Sequence, residues 1–193
     1  MFSYYQRNKY MQALDLLLNR RSQPRLCEPA PSGEHLENIL QAGLCAPDHK
    51  CLRPWRLIVC TGEGLIKLGK IFEQAAILKG AVPATLERAP KLPMRAPMVI
   101  VAICDYKQDD KVPRVEQIAS TACAVHGMQM AAVAQGFQGI WRTGWYAQNG
   151  DVKALLGCKN EDEILGFLYL GSSPLKSTPR RSQITSDHVE VWD

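Results

Sequence analysis

The sequence of 193 residues has no apolar run long enough to cross a bilayer. Its longest, Met98–Cys104, falls far short of the roughly 20 residues that a spanning helix needs. The first ten residues contain no apolar core of a secretory signal, which leads us to expect a cytoplasmic protein. An excess of one charge is missing too. Its 23 Lys and Arg are interspersed with 19 Asp and Glu, so the net charge of +4 draws no stripe for nucleic acid, although it suits a small anionic ligand. The seven cysteines are odd in number and include no C-x-x-C pair, so reduced, mostly buried thiols are expected rather than a disulfide framework. Repeats and low-complexity tracts are absent. What remains is an ordinary globular composition, 46% hydrophobic and 22% charged, in a length that fits one domain.

Periodicity places the elements. Ala13, Leu14, Leu17 and Leu18 share one face of a first helix over about residues 11–21, and Leu36, Ile39, Leu40 and Leu44 mark a second that starts after Ser32 and Gly33. Residues 57–60 read as a strand, and the spacing of Leu65, Leu68, Phe72, Ala75 and Ala76 restores a helix. Residues 80–97 carry four prolines and are expected to be mostly irregular. Met98–Cys104 has the β-branched character of a central strand, and the longest helix runs from about Val115 to Ala134 and stops at Gly136. Its apolar end, from Met128 to Ala134, calls for cover on more than one side, which argues for a dimer. Residues 137–143 and 164–171 read as strands around a short helix at 152–156. Strand alternation returns at Val189-Glu190-Val191-Trp192. Such irregular alternation, with few strands, excludes a doubly wound parallel sheet and favours an α+β fold with helices flanking a sheet.

Several motifs invite a chemical reading. Gly64 to Lys70 imitates part of a phosphate-binding loop, but Ile71 stands where a magnesium-binding hydroxyl belongs and the spacing puts Gly69 inside a helix. Cys45, His49 and Cys51 could supply zinc ligands, yet no second cluster completes a tetrahedral site. No G-x-S-x-G elbow supports a serine hydrolase. Asn19-Arg20-Arg21-Ser22 is either a base-rich helix end that offsets the dipole or an anion clamp for a phosphate monoester. The glycines of Gly136-Phe137-Gln138-Gly139-Ile140-Trp141-Arg142-Thr143-Gly144 suit either close approach to a flat ligand or a strand between turns.

In their order and spacing, segments Leu16 to Ser22, Ala46 to Lys50, Arg53-Pro54-Trp55, Lys111 to Arg114, Met128 to Gly136, Gly139 to Arg142 and Gly166 to Gly171 resemble the FMN-dependent nitroreductase family, in its minimal, YdjA-type branch. The resemblance implies a nitroreductase-like α+β fold with a mainly antiparallel central sheet. It also implies a homodimer with FMN at the interface, and a ping-pong cycle in which NADH or NADPH reduces the flavin and a nitroaromatic, quinone or related small molecule re-oxidises it. FMN would carry the chemistry, with no catalytic side chain, no metal, no nucleic acid and no membrane. Carried over by position, Arg20, Arg21, Ser22, Cys45, His49, Trp141, Arg142 and Thr143 would contact FMN, and Ala131, Ala132, Val133, Ala134, Gln135 and Gly136 the nicotinamide nucleotide. Residues 1–193 would form one domain, with an extension at 1–10 and a tail at 173–193 that packs on the partner subunit. Pro24 stands where many relatives have a base, and Arg53 where a glutamine is common. An FMN-binding carrier or sensor without turnover is the alternative.

Overall fold

Met98–Cys104 is strand β2 of the computed structural model, every residue of it buried, and the fold is built around it. The structure describes residues 12–175 and 184–192, so the expected extension at 1–10 lies outside it, as do residues 176–183 of the tail. The helices are α1 (Ala13–Asn19), α2 (Gly33–Leu44), α3 (Glu63–Leu78), α4 (Pro83–Arg88), α5 (Arg114–Ala134), α6 (Trp145–Gln148) and α7 (Gly150–Leu155). The other strands are β1 (Trp55–Thr61), β3 (Gln138–Arg142) and β4 (Glu163–Gly171). They form one sheet in the order β1-β2-β4-β3, with every neighbouring pair antiparallel.

Strand alternation divides the core between the two faces of the sheet. Met98, Ile100 and Ala102 of β2 join Leu168 and Leu170 of β4 against Ile39 of α2 and Val125, Met128 and Ala132 of α5. Val99, Val101 and Ile103 join Phe167 and Tyr169 against Leu65, Leu68 and Phe72 of α3. At one point the alternation slips. Ala102 pairs with Gly166 but Ile103 with Ile164, leaving Leu165 as a bulge whose carbonyl accepts a hydrogen bond from Trp141 Nε1 at 2.9 Å.

Three expectations need correction. Helix α1 stops at Asn19, because Arg20 turns to an extended conformation with ψ 134°. The stretch expected to be irregular contains α4 and 3-10 turns at Ala89–Lys91 and Pro93–Arg95, since three of its four prolines, Pro83, Pro90 and Pro93, stand in first turns, where a missing N–H costs nothing. The tail residues Val189, Val191 and Trp192 are exposed and pair with no strand among the described residues of their own chain. The end of α5 does not need a partner: Met128 and Ala132 are fully buried by α2 and the sheet of the same chain. Among the described helices, α1 buries no residue and exposes Leu14, Leu17 and Leu18, while smaller exposed apolar groups lie at Ile77, Leu78, Val82 and Val115.

Gly69 of the loop-like motif sits in the middle of α3. A Cβ there would lie 2.4 Å from the carbonyl oxygen of Pro90, so glycine lets the 89–91 turn pack onto the helix, and the phosphate-loop reading is replaced by a packing role. This contact anchors the segment that carries Arg88 and Arg95.

Candidate functional site

Beyond α1 the chain runs extended along the edge strand β3. The Gln23 N–H donates to the Gly139 carbonyl at 3.0 Å, and Cys27 pairs with Ser172. Arg20 and Arg21 are half-buried there and Ser22 is exposed. Arg20 is the C-cap of α1, its N–H donating to the Leu16 carbonyl at 2.9 Å, and Arg21 and Ser22 follow in the extended segment, so the first base stands at the negative end of the helix and the other two groups stand beyond it.

Further along β3, the chain enters an open cavity of about 520 Å³. Trp141, Arg142 and Thr143 line it, opposite Arg88 and Arg95 and beside Tyr146 and Tyr169. Trp141 is held by its hydrogen bond to the Leu165 bulge. The Arg142 guanidinium lies 5.5 Å from the centroid of the Tyr169 ring, and its Nε is buried with no hydrogen-bond partner among the described residues. Such a group is costly to leave unmatched, which suits a ligand with carbonyl or anionic oxygens. Burial pushes the Tyr169 phenol up to about 12, with Arg142 and Arg95 pulling the other way. The phenol is therefore neutral near pH 7. Among the described residues, no carboxylate lines the cavity. The glycines flanking this segment are explained by the fold itself. Gly136 and Gly144 take φ +89° in turns, while a Cβ on Gly139 would lie 2.9 Å from the Tyr169 carbonyl oxygen.

Cys45 caps the C-terminal end of α2 with an exposed thiol. His49 sits in a loop where Lys50, Cys51 and Arg53 all adopt positive φ, a conformation that non-glycine residues rarely take. The Asp48 carboxylate accepts from the Arg53 N–H at 2.6 Å and closes this loop. His49 Nδ1 is 2.8 Å from Glu116 Oε2 at the start of α5, an ion-pairing geometry rather than a zinc-ligand one. The His49 loop and the arginine segment reach α5 at different turns. Gln129 Nε2 bonds the same Gly139 carbonyl that Gln23 reaches, and Gln129 is about 20 Å from Glu116 along α5 at 1.5 Å per residue.

Ala131 to Gly136 form the last turn of α5 and its cap. Ala132 is fully buried and Val133 nearly so. Gln135 is engaged as well: its Nε2 donates to the His35 and Ala131 carbonyls, and its Oε1 is 2.9 Å from His35 Nδ1. The side chain of Ala132 is thus out of reach of a ligand, while Ala131, Ala134 and the cap residues are partly exposed. Arg88, Arg95, Tyr146 and Tyr169 were missed in the sequence, because they enter the cavity from distant segments. The basic residues that close the proline-led turns of 83–95 were their only local signal.

The nitroreductase family model matches residues 17–172. The chain belongs to the nitroreductase family. Over 168 residues it is 49% identical to "Putative NAD(P)H nitroreductase YdjA" of Escherichia coli strain K12, covering 87% of this chain and 92% of that protein. It is 36% identical to a "Putative NAD(P)H nitroreductase" of Haemophilus influenzae, covering 86% and 91%. Among solved structures, a nitroreductase-like family protein from Bacillus cereus superposes with a TM-score of 0.80 at 21% identity, covering 95% of this chain and 97% of that one. A mutant of the FMN and NADPH-dependent nitroreductase NfnB from sphigopyxis sp. strain HMH superposes with a TM-score of 0.73 at 15% identity, covering 94% and 99%. At these identities the solved structures speak for the fold, and the helix-flanked antiparallel sheet described above is the nitroreductase-like fold. Its curated relatives carry the names of oxidoreductases. Among the described residues of this nitroreductase-family chain, no helix is long and apolar enough to cross a membrane.

Proposed function

We propose that this protein is an FMN-dependent oxidoreductase that takes electrons from NADH or NADPH and delivers them to nitroaromatic, quinone or related small molecules by a ping-pong cycle. The observation that carries this reading is the placement of two segments on one edge strand. Residues 20–22 are tied to β3 through Gln23 and Gly139, and Trp141 to Thr143 follow on the same strand, at about 3.3 Å per residue. A phosphate clamp and a ring-facing wall separated by the length of a short polyol chain fit flavin mononucleotide. The unmatched Arg142 Nε and the carboxylate-free cavity fit the carbonyl-bearing end of its ring.

Bound FMN supplies the two-electron chemistry. The side chains of this chain bind and orient. Arg20, Arg21 and Ser22 hold the phosphate through charge-assisted hydrogen bonds, and Trp141, locked to the Leu165 carbonyl, keeps the wall of the cavity rigid. No thiol is poised as a nucleophile in the core, where burial pushes Cys60 and Cys104 upward. Cys45 and His49 contribute from the second subunit of a homodimer, across the interface at which the flavin binds. The 173–193 tail packs on that subunit. The nicotinamide nucleotide reaches the site past the α5 cap at Gln135 and Gly136.

Stopped-flow mixing of the FMN-loaded protein with NADH and with NADPH tests the reading. Bleaching of the flavin by at least one donor, and its return on adding a quinone or nitroaromatic, is expected. No bleaching by either donor overturns it.

A further inference from the structure

The cavity holds a charge that its walls do not balance. Arg88 closes α4, Arg95 closes the last 3-10 turn before β2, and Arg142 ends β3, yet all three line one space. Among the described residues, none of them pairs with a carboxylate. The nearest acid in sequence, Glu87, is bonded to Lys91 at 2.9 Å. The aromatic walls are neutral: burial raises the Tyr146 phenol, with Arg88 opposing, and Tyr169 behaves likewise under Arg142 and Arg95. Three cations facing an aromatic-walled space suit a planar group with an anionic edge.

Resting on the function proposed above, we propose that Arg88 and Arg95, together with Arg142, form a cationic seat that stabilises the negative charge of the reduced flavin ring and so raises its reduction potential. The charge arises from the stoichiometry of the reaction. When a nicotinamide donor gives up a hydride, one C–H bond breaks and two electrons and one proton pass to the ring. The donor leaves as a cation and the ring keeps one negative charge. Fixed positive charge beside the ring favours that state over the neutral oxidised one. This role differs from that of Arg20, Arg21 and Ser22, which hold a phosphate whose charge is the same in both redox states. Arg88 and Arg95 are exposed and carry no core packing, and Gly69 holds their segment against α3 through its close approach to Pro90.

Sulfite tests the seat without turnover. Its sulfur adds to the flavin ring, a new S–N bond forms, the visible absorbance bleaches, and the ring acquires the same negative charge. In the FMN-loaded Arg88→Gln, Arg95→Gln double variant, with sulfite affinity read per bound flavin, we expect sulfite to bind about tenfold or more weakly, as expected for loss of a cation near a developing anion. Its midpoint potential should fall, by about 30 mV for each tenfold loss in the two-electron equilibrium. The Arg88→Lys, Arg95→Lys variant, which keeps the charge, should stay close to wild type on both readouts. A Gln variant with wild-type sulfite affinity and potential overturns the seat while leaving the proposed function intact. A wild-type protein that binds no flavin overturns both. Circular dichroism of the variants guards against a folding defect, and a Lys variant as impaired as the Gln variant also overturns the charge argument.

Discussion

Helix α5 buries ten residues, whereas α1 buries none and leaves Leu14, Leu17 and Leu18 exposed at 70, 55 and 65%. Both segments show apolar residues at helical spacing, so the pattern alone does not say where that surface goes. For α5 the answer lies within the chain: α2 crosses one side of it and β2 and β4 cover another. Even its buried polar groups are matched, with Gln117 bonding the backbone of Lys107 and Val112, and Gln129 the Gly139 carbonyl. For α1, seven residues long, there is no such cover, and a helix that short is not stable by itself. The dimer argument therefore moves from α5, where the sequence suggested it, to α1 and the exposed tail residues Val189, Val191 and Trp192.

The largest expected effect breaks the comparison on the α1 side. Each leucine covered by a second subunit contributes about 1.5–3 kcal/mol, so Leu14→Asp with Leu18→Asp should convert the proposed dimer to monomer in sedimentation at micromolar concentration. Chain truncation at Ser173 should weaken the dimer in the same experiment. A double variant that sediments as the wild-type dimer shows that α1 is not the covered face.

On the α5 side, Met128→Ala should lower the unfolding free energy by about 2–5 kcal/mol, read from urea denaturation of the monomer fold. Met128 is fully buried within its own chain, so the sedimentation behaviour of the folded variant should not change. An intact Tm with a broken dimer would reverse our assignment of the two helices.

Between these lies the segment that follows α1. Arg20→Ala removes one charge-assisted phosphate contact, typically about 1.5–3 kcal/mol, and should raise the FMN dissociation constant tenfold to hundredfold in a fluorescence titration. Riboflavin, which lacks the phosphate, should bind the variant and the wild type alike. Equal losses for both ligands would place Arg20 elsewhere than on the phosphate.

The fold was legible wherever one chain supplies both sides of a contact. Met98–Cys104 announces a strand buried on both faces because each of its residues has an apolar neighbour within the subunit, and α5 announces its length by unbroken periodicity. The ends were less legible. Arg20 leaves the helix because the chain must turn along β3, a tertiary demand with no mark in the local pattern. Prolines 83, 90 and 93 look like breakers until their place at helix starts is known. Within the candidate site, the contiguous segments at 20–22 and 141–143 could be named from sequence. Arg88, Arg95 and Tyr169 converge only through the sheet register and the packing of the 83–95 segment on α3.

The smallest effect concerns how the N-terminal end of α5 is fastened. Arg114 of α5 and Lys153 of α7 both reach Glu163 at the start of β4, at 2.5 and 2.9 Å. Burial alone would raise the Glu163 carboxyl, but hydrogen bonds and charge from Lys153 and Arg114 outweigh it and hold the group below its ordinary value of 4.5. A carboxylate with a lowered value in the folded state stabilises the fold fully above the unfolded value, and that contribution is lost as the pH falls through the folded one. The window therefore lies below about pH 5. Glu163 is 36% exposed, so solvent screens the pairs and the contribution is about 0–1 kcal/mol, well under that of Met128. Glu163→Gln should leave stability near pH 7 within that range of wild type and make its decline between about pH 5 and 3 shallower, with Asp105, lowered in the same sense by Lys107 and Lys159 against its burial, supplying the residual slope. Unfolding measured across that range checks both. A loss at pH 7 as large as that of Met128→Ala would mean that charge, and not burial, is what holds α5 in the fold.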